Sequence, residues 1–236
     1  MGSYLDLHII PKVDDAQSYE RMANLLSKVQ YSTVGLTVPT GLLRERVDSL
    51  RQAFEQHGIS TALRVDLSPT SRIELLRLLR KFRNQYDLVA VNCLNQRVAL
   101  VACRDRRVDM VFFNPTSRNL QFTHTFARLL GGAIEFNLVS DVVEQAGSFV
   151  FSRIRRAMMI AQEHGAMIVL SSGARNRQMV RSPIEISSLS TSLGLTQEEA
   201  IRGVSSAPSS IVSENRKKHA PAYVEEGVQM VAPRGR

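Results

Sequence analysis

The residues best suited to chemistry lie in one segment, residues 171–181 (SSGARNRQMVR). It combines a turn of small residues, whose backbone amides can face an anion, with three arginines and a helix start that we predict at Ser182. The candidate ligands for an anion such as phosphate are Ser171, Ser172, Arg175, Arg177 and Arg181. An ordinary loop with solvated arginines is the alternative interpretation of the same residues.

The signal for a metal site is incomplete. In metal-dependent barrels such as the amidohydrolases and the polymerase-and-histidinol-phosphatase superfamily, a first-strand His-x-His pair holds a cation. Here His8 stands at the first position of that pair, but the second is Ile10. His57 and His164 each precede a glycine and are expected to end helices, so too few of the five histidines remain for a multinuclear site.

Three carboxylates, Asp6, Asp66 and Glu135, fall on predicted strands. None stands at a spacing that demands acid–base chemistry, so we expect hydrogen-bonded barrel residues. We therefore predict no catalytic residue, no metal ligand and no cofactor bound by the protein.

The composition points to a polyanionic partner or an acidic protein surface. The net charge is +8, and 25 arginines stand against 5 lysines. Arginine pairs with phosphate through two hydrogen bonds, which favours RNA or phosphate recognition. A GC-rich genome would also raise the arginine count, but it would not explain the shortage of carboxylates.

Strands and helices must alternate to position these groups. We predict strands at residues 5–10, 33–38, 59–67, 87–92, 108–113, 133–138 and 166–170, most of them apolar throughout, as parallel strands covered on both faces are. The turn after the first strand lacks the glycines of a dinucleotide-binding sheet, so a closed barrel is preferred to an open one. The predicted fold is α/β and TIM-barrel-like, with about seven parallel strands and surrounding helices.

Helix signals support this alternation. Capping boxes mark helix starts at Ser71, Ser182 and Thr196, and residues 96–104 are predicted as a short helix. The helix after Ser71 is expected to turn its basic residues outward, namely Arg72, Arg77, Arg80, Lys81 and Arg83.

In a βα barrel, functional groups lie at the carboxyl ends of strands and in the loops that follow. That rule brings Lys12, Asn137 and the segment 171–181 to one rim. Arg104, Arg106 and Arg107 precede a strand and are expected at the opposite end.

One domain is predicted over residues 1–219, followed by a flexible tail over residues 220–236. Cys93 and Cys103 are expected to be small core residues. No apolar run reaches the roughly 18 residues needed to cross a membrane, and no secretory signal is recognised, so we expect a soluble, cytoplasmic protein.

Five segments in this order resemble the ribonuclease P protein component 3 family, the archaeal counterparts of the thirty-kilodalton eukaryotic subunit. They are residues 4–8 (YLDLH), 104–111 (RDRRVDMV), 133–138 (AIEFNL), 167–174 (MIVLSSGA) and 181–183 (RSP), the last followed by residues 193–195 and 199–200. The resemblance runs nearly end to end.

The resemblance implies a seven-stranded barrel, related to the polymerase-and-histidinol-phosphatase fold but without its metal ligands. It implies a subunit of an endoribonuclease that is not catalytic alone, assisting a catalytic RNA that removes the 5′ leader of precursor tRNA with its own Mg²⁺. The implied partners are ribonuclease P RNA, precursor tRNA, protein component 2 and other subunits. The positions expected to bind RNA or phosphate are Lys12, Asn137, Ser171, Ser172, Arg175, Arg177 and Arg181.

Two alternatives stay open. A metal-dependent phosphoesterase could retain His8 and Asp6 as partial ligands. A small-molecule barrel enzyme could bind a phosphate at residues 171–174.

Overall fold

A computed structural model describes residues 3–144, 147–218, 223–225 and 228–229. Seven parallel strands follow each other around one sheet in the order of the chain. They are β1 (Tyr4–Ile9), β2 (Tyr31–Thr37), β3 (Ser60–Leu67), β4 (Leu88–Asn92), β5 (Met110–Phe112), β6 (Ala133–Asn137) and β7 (Met167–Ser171). Each predicted strand is present, with ends that differ from the prediction by at most two residues.

The sheet curls into a nearly closed barrel. Ile9 of β1 forms a parallel bridge with Ala174, just beyond β7, and the Ile10 amide donates to the Ala174 carbonyl at 2.8 Å. The prediction of a TIM-barrel-like α/β fold with about seven parallel strands is confirmed.

Nine α-helices occur in the described residues, most of them connecting successive strands on the outside of the barrel. They are α1 (Ala16–Lys28), α2 (Arg44–Glu55), α3 (Arg72–Phe82), α4 (Gln96–Ala102), α5 (His124–Leu129), α6 (Ser148–Glu163), α7 (Pro183–Ser192), α8 (Gln197–Val204) and α9 (Ser206–Lys218). The predicted short helix at residues 96–104 is therefore confirmed as α4.

Helix ends follow the local signals, and α3 begins directly after Ser71 as predicted. Gly58 and Gly165 take left-handed φ angles of 74° and 61° after α2 and α6. The capping boxes at Ser182 and Thr196 are complete. At Ser71 the box is incomplete, because the Glu74 carboxylate accepts from the Thr70 amide and hydroxyl instead of from Ser71.

The last helix closes the amino-terminal end of the barrel. Ile211 and Val212 of α9 pack on the apolar lower interior, which includes Leu5 and Leu88. Beside them, the Asn215 amide group donates to the Asp87 carbonyl at 2.9 Å.

Arg83 takes part in this closure. It donates to Asn215 Oδ1 at 2.7 Å and to Asp109 Oδ2 at 2.5 Å. The prediction that Arg83 faces solvent was wrong, because it follows α3 directly, where the chain turns in under the barrel. Arg72, Arg77, Arg80 and Lys81 are exposed as expected.

Cys93 and Cys103 are buried and free, as predicted. No helix in the described ranges has the length and apolar character needed to cross a membrane. Within the predicted tail, β8 (Tyr223–Glu225) and β9 (Val228–Gln229) pair antiparallel. The remaining residues from 219 onward lie outside the described residues, so the flexibility of the tail stays a prediction.

Candidate functional site

A polar layer fills the upper interior of the barrel, at the carboxyl ends of the strands. Alternate residues of a strand point inward, so β3 places Ala62, Arg64 and Asp66 inside, while β6 contributes Glu135 and Asn137. Apolar residues fill the levels below. The layer is therefore sealed from beneath and meets the rim loops above.

Arg64 is the centre of this layer, and its side chain is fully buried. Its two terminal nitrogens donate to the two carboxylate oxygens of Glu135, each at 2.6 Å. Its Nε donates to Asp66 Oδ1 at 2.6 Å, and Nη1 also reaches the Leu7 carbonyl at 2.8 Å. The flat guanidinium fork matches this arrangement in a way that a lysine cannot.

His8 also faces Asp66 and Glu135. The register between β1 and β2 shifts between Asp6 and Ile9, and a bulge of this kind redirects side chains, here turning His8 inward. His8 Nδ1 lies 2.6 Å from Asn137 Oδ1. Its Nε2 lies 3.0 Å from Asp66 Oδ2 but out of line with the ring N–H, so this contact is mainly electrostatic.

The pKa shifts follow from these contacts. Burial opposes ionisation of both Asp66 and Glu135, but Arg64 and His8 outweigh it and hold the pKa of each carboxyl below its ordinary value. Burial and Arg64 lower the pKa of His8, whereas Asp66 and Glu135 raise it, and the net direction is upward. Arg64 therefore faces both carboxylates, and the upward shift of the His8 pKa follows from the same two carboxylates.

Three residues that the sequence placed among the phosphate ligands lie inside the fold. Asn137, Ser171 and Ser172 are 4%, 1% and 0% exposed. Ser171 Oγ donates to Glu135 Oε1 at 2.7 Å, and Ser172 Oγ accepts from the Ala174 amide at 3.1 Å. Their side-chain contacts therefore hold the barrel interior together.

Asp6 supports the same end of the barrel. Its carboxylate accepts from the His8 amide at 3.1 Å and from the Ser172 amide at 3.2 Å. Burial nevertheless raises the pKa of Asp6. The sequence-based interpretation of Asp6, Asp66 and Glu135 as hydrogen-bonded barrel residues is confirmed.

A resident metal does not fit this layer. An imidazole nitrogen and carboxylate oxygens are suitable ligands for a divalent cation, but the Arg64 guanidinium already lies between Asp66 and Glu135 and is hydrogen-bonded to both. In the ranges that the structure describes, no group of three or more candidate ligands could hold a metal ion. Arg64 was not among the predicted site residues, although an arginine two residues before Asp66, and so on the same face of the strand, was the signal for it.

The rim above this layer carries the exposed cations. Lys12, Arg175 and Arg177 are exposed, and Arg175 Nη1 lies 3.5 Å from Glu144 Oε2. Arg181 is half-buried, and its Nη1 donates to the carbonyls of Gln178 and Val180 at 2.7 and 2.9 Å. The structure thus brings Lys12 and the 171–181 segment to one end of the barrel, as predicted. The Arg181 side chain is hydrogen-bonded to the backbone of its own loop.

Asp141 lies beside this layer in a single π-helical turn, Val139–Val143, that follows β6. Burial raises the pKa of Asp141 to about 7, and the nearby Glu135 charge adds to the effect. Its carboxylate has one weak donor, Ser140 Oγ, at 3.4 Å. This carboxyl group therefore titrates near neutral pH.

Comparison with protein families gives one match that covers nearly the whole chain. The family model described as RNase P subunit p30 matches residues 3–220. Curated relatives named ribonuclease P protein component 3 include those of Methanothermobacter thermautotrophicus, 26% identical over 97% of this chain and 95% of the relative, and Methanococcoides burtonii, 24% identical over 97% and 93%.

Solved structures show the same fold. A chain from a cryo-EM structure of archaeal ribonuclease P with mature tRNA aligns with a TM-score of 0.83 and 16% identity, covering 98% of this chain and all of that one. A Xaa-Pro dipeptidase with bound methionine aligns with a TM-score of 0.56 and 10% identity, covering 91% and 76%. At these identities the likeness is one of fold.

Proposed function

This chain belongs to the RNase P subunit p30 family, and we propose that within ribonuclease P it supports a catalytic RNA in removing the 5′ leader of precursor tRNA. As a member of that family it is a protein subunit of ribonuclease P. The proposal concerns how it contributes.

The observation that carries the proposal is the extent of the family match. Residues 3–220 include every strand of the barrel and all of α9, so the match covers a complete fold and not a local motif. The geometry is consistent with an accessory role, since the interior carboxylates Asp66 and Glu135 are bound to Arg64. A carboxylate held in this way is a poor general base.

We assign contact with RNA phosphates to the exposed cations of the rim. Lys12, Arg175 and Arg177 are accessible there, and the chain carries a net charge of +8. Arginine and lysine on an RNA-binding surface neutralise phosphates and make binding dependent on salt. Asn137, Ser171 and Ser172 would contribute indirectly, by fixing the shape of that rim.

Pairing with protein component 2 is a second part of the proposal. The family resemblance supports it, and so do large apolar side chains on the surface, such as Leu43, 66% exposed, and Ile184, 71% exposed. Copurification of the two purified proteins is the expected result. Failure of the pair to associate at micromolar concentration would contradict it.

The function is tested by cleavage of a precursor tRNA with ribonuclease P reconstituted from its RNA and proteins. The chain is included, omitted, or supplied alone. We expect omission to reduce cleavage or raise the Mg²⁺ requirement, and the chain alone to cleave nothing. Undiminished cleavage without the chain would refute the proposal.

The metal-dependent phosphoesterase is tested by metal analysis of the purified protein. We propose that the chain holds no stoichiometric metal, since the Arg64 guanidinium already occupies the space between the carboxylates that a metal would need. Stoichiometric Zn²⁺ or Mn²⁺ together with phosphatase turnover would favour the alternative.

A further inference from the structure

A groove on the rim is lined by cations from three separate segments. Lys12 comes from the loop after β1, Arg21 from α1, and Arg177 from a 3₁₀ turn (Arg177–Met179) after β7. The groove encloses about 350 Å³. The sequence does not indicate that Arg21 belongs to a basic site, because the three segments meet only when the barrel closes.

These cations have no acidic partner in the described part of the chain. Lys12, Arg21 and Arg177 form no salt bridge there, whereas the neighbouring Arg46 is paired with Asp14 and Arg175 lies near Glu144. The carboxylate that lines the groove, Asp15, is occupied as the cap of α1 and accepts from the Ser18 amide at 3.0 Å. Three cations against this one carboxylate leave the lining of the groove with a net charge of +2.

The two walls of the groove are fixed relative to each other. The Ile10 amide donates to the Ala174 carbonyl at 2.8 Å, and the Tyr31 hydroxyl donates to the Arg181 carbonyl at 3.1 Å. Met179, which ends the 3₁₀ turn, is 5% exposed and anchors it in the core. A site built on such supports loses little conformational freedom when it binds.

The lining identifies the class of partner. Every side chain that lines the groove is polar or charged: Lys12, Asp15, Gln17, Ser18, Arg21, Asn176, Arg177 and Gln178. Protein interfaces have an apolar core, which this groove lacks, and base recognition in single-stranded RNA relies on aromatic stacking, which it also lacks. Backbone phosphate is the ligand that the lining fits.

We propose that this groove binds the phosphodiester backbone of an RNA in the ribonuclease P complex, with Lys12, Arg21 and Arg177 neutralising successive phosphates. The inference rests on the proposed function and adds a specific binding site to it. Asn176 and Gln178 supply side-chain amides beside these cations.

The test compares two triple variants with the same loss of charge. The groove variant is Lys12→Gln, Arg21→Gln, Arg177→Gln, and the control is Arg72→Gln, Arg77→Gln, Arg80→Gln on the exposed face of α3. Affinity for ribonuclease P RNA, with the other protein subunits present, is measured against salt concentration. The slope of log K against log salt is negative, and losing three phosphate contacts should make it shallower by about 2 to 3 in the groove variant. The control should change it by less than one.

A second measurement identifies the partner directly. A benzophenone amino acid replaces Gln178 in the reconstituted holoenzyme, with either the ribonuclease P RNA or the precursor tRNA labelled. Crosslinking to either RNA supports the site and tells which one occupies it. Crosslinking to a protein subunit alone, or equal salt slopes for the two triple variants, would overturn the inference.

The outcomes separate this inference from the proposed function. If the wild-type chain enters the complex and stimulates cleavage while the groove variant matches it in binding and salt dependence, only the groove is wrong. If the wild-type chain has no effect on cleavage, the proposed function itself fails.

Discussion

Replacing Arg64 by methionine tests whether the buried charge cluster holds the barrel together. The substitution keeps much of the side-chain length but removes all four hydrogen bonds that the guanidinium donates, two to Glu135, one to Asp66 and one to the Leu7 carbonyl. Glu135 is then left with the Ser171 hydroxyl as its hydrogen-bond donor and with His8 Nδ1 at 3.7 Å.

The magnitude follows from the cost of an unpaired buried charge. Removing one partner of a buried ion pair typically costs about 3–5 kcal/mol. A chain of this size loses about 2–4 °C of melting temperature per kcal/mol, so Arg64→Met should melt roughly 6–20 °C below the wild type. Glu135→Met in the same background should recover part of the loss, because the uncompensated carboxylate is removed with its partner.

Urea and thermal unfolding followed by circular dichroism measure this effect. Arg77→Met on the exposed face of α3 is the matched control, and it should change the free energy of unfolding by no more than about 0.5 kcal/mol. The reasoning is refuted if Arg64→Met unfolds within about 1 kcal/mol of the wild type. It is also refuted if adding Glu135→Met lowers stability further.

Three further perturbations test other parts of the structure. The pKa of Asp141 is raised to about 7 from 3.8, so the folded state binds a proton that the unfolded state releases, and stability should fall as pH rises from about 4 to 7. Asp141→Asn should weaken that dependence, to which the raised pKa of Asp6 also contributes, and should be the more stable protein at pH 8 by about 1–3 kcal/mol. An unchanged pH profile of unfolding would contradict it. Gly35→Ala should lower the free energy of unfolding in urea by about 3 kcal/mol or more, because the added Cβ would lie 2.2 Å from the Leu7 carbonyl oxygen. A loss below about 1 kcal/mol would show that β1 and β2 separate easily. Asn215→Ala should lower the free energy of unfolding by about 1–3 kcal/mol, because the hydrogen bonds of Asn215 to Arg83 and Asp87 are lost. Hydrogen exchange in α9 should become faster. Unchanged exchange would show that α9 is held by its apolar face alone.

Local patterns in the sequence predicted the order and type of the elements. Apolar runs identified all seven strands, and glycines and capping boxes identified helix ends, because these signals act between residues a few positions apart. The helix start at Ser71 was predicted correctly, but Thr70 takes the Glu74 carboxylate in place of Ser71. The same reasoning failed at Arg83, whose partners lie in other elements. Local spacing does not tell which of two neighbouring donors an acceptor prefers.

The charged interior was decided by tertiary structure. Arg64 and Glu135 are 71 residues apart, and His8 and Asn137 are 129 apart. Their meeting depends on the strand register, on the bulge in β1 and on closure of the barrel, none of which a linear pattern encodes.

What the sequence determined by itself was the alternation of strands and helices, the family and the rim on which basic residues gather. Only the tertiary structure decided that Ser171, Ser172 and Asn137 are internal supports and that Lys12, Arg21 and Arg177 share one groove. The physical reason is that hydrophobic periodicity sets which face of each element is buried. Which polar groups then meet depends on how distant elements pack against each other.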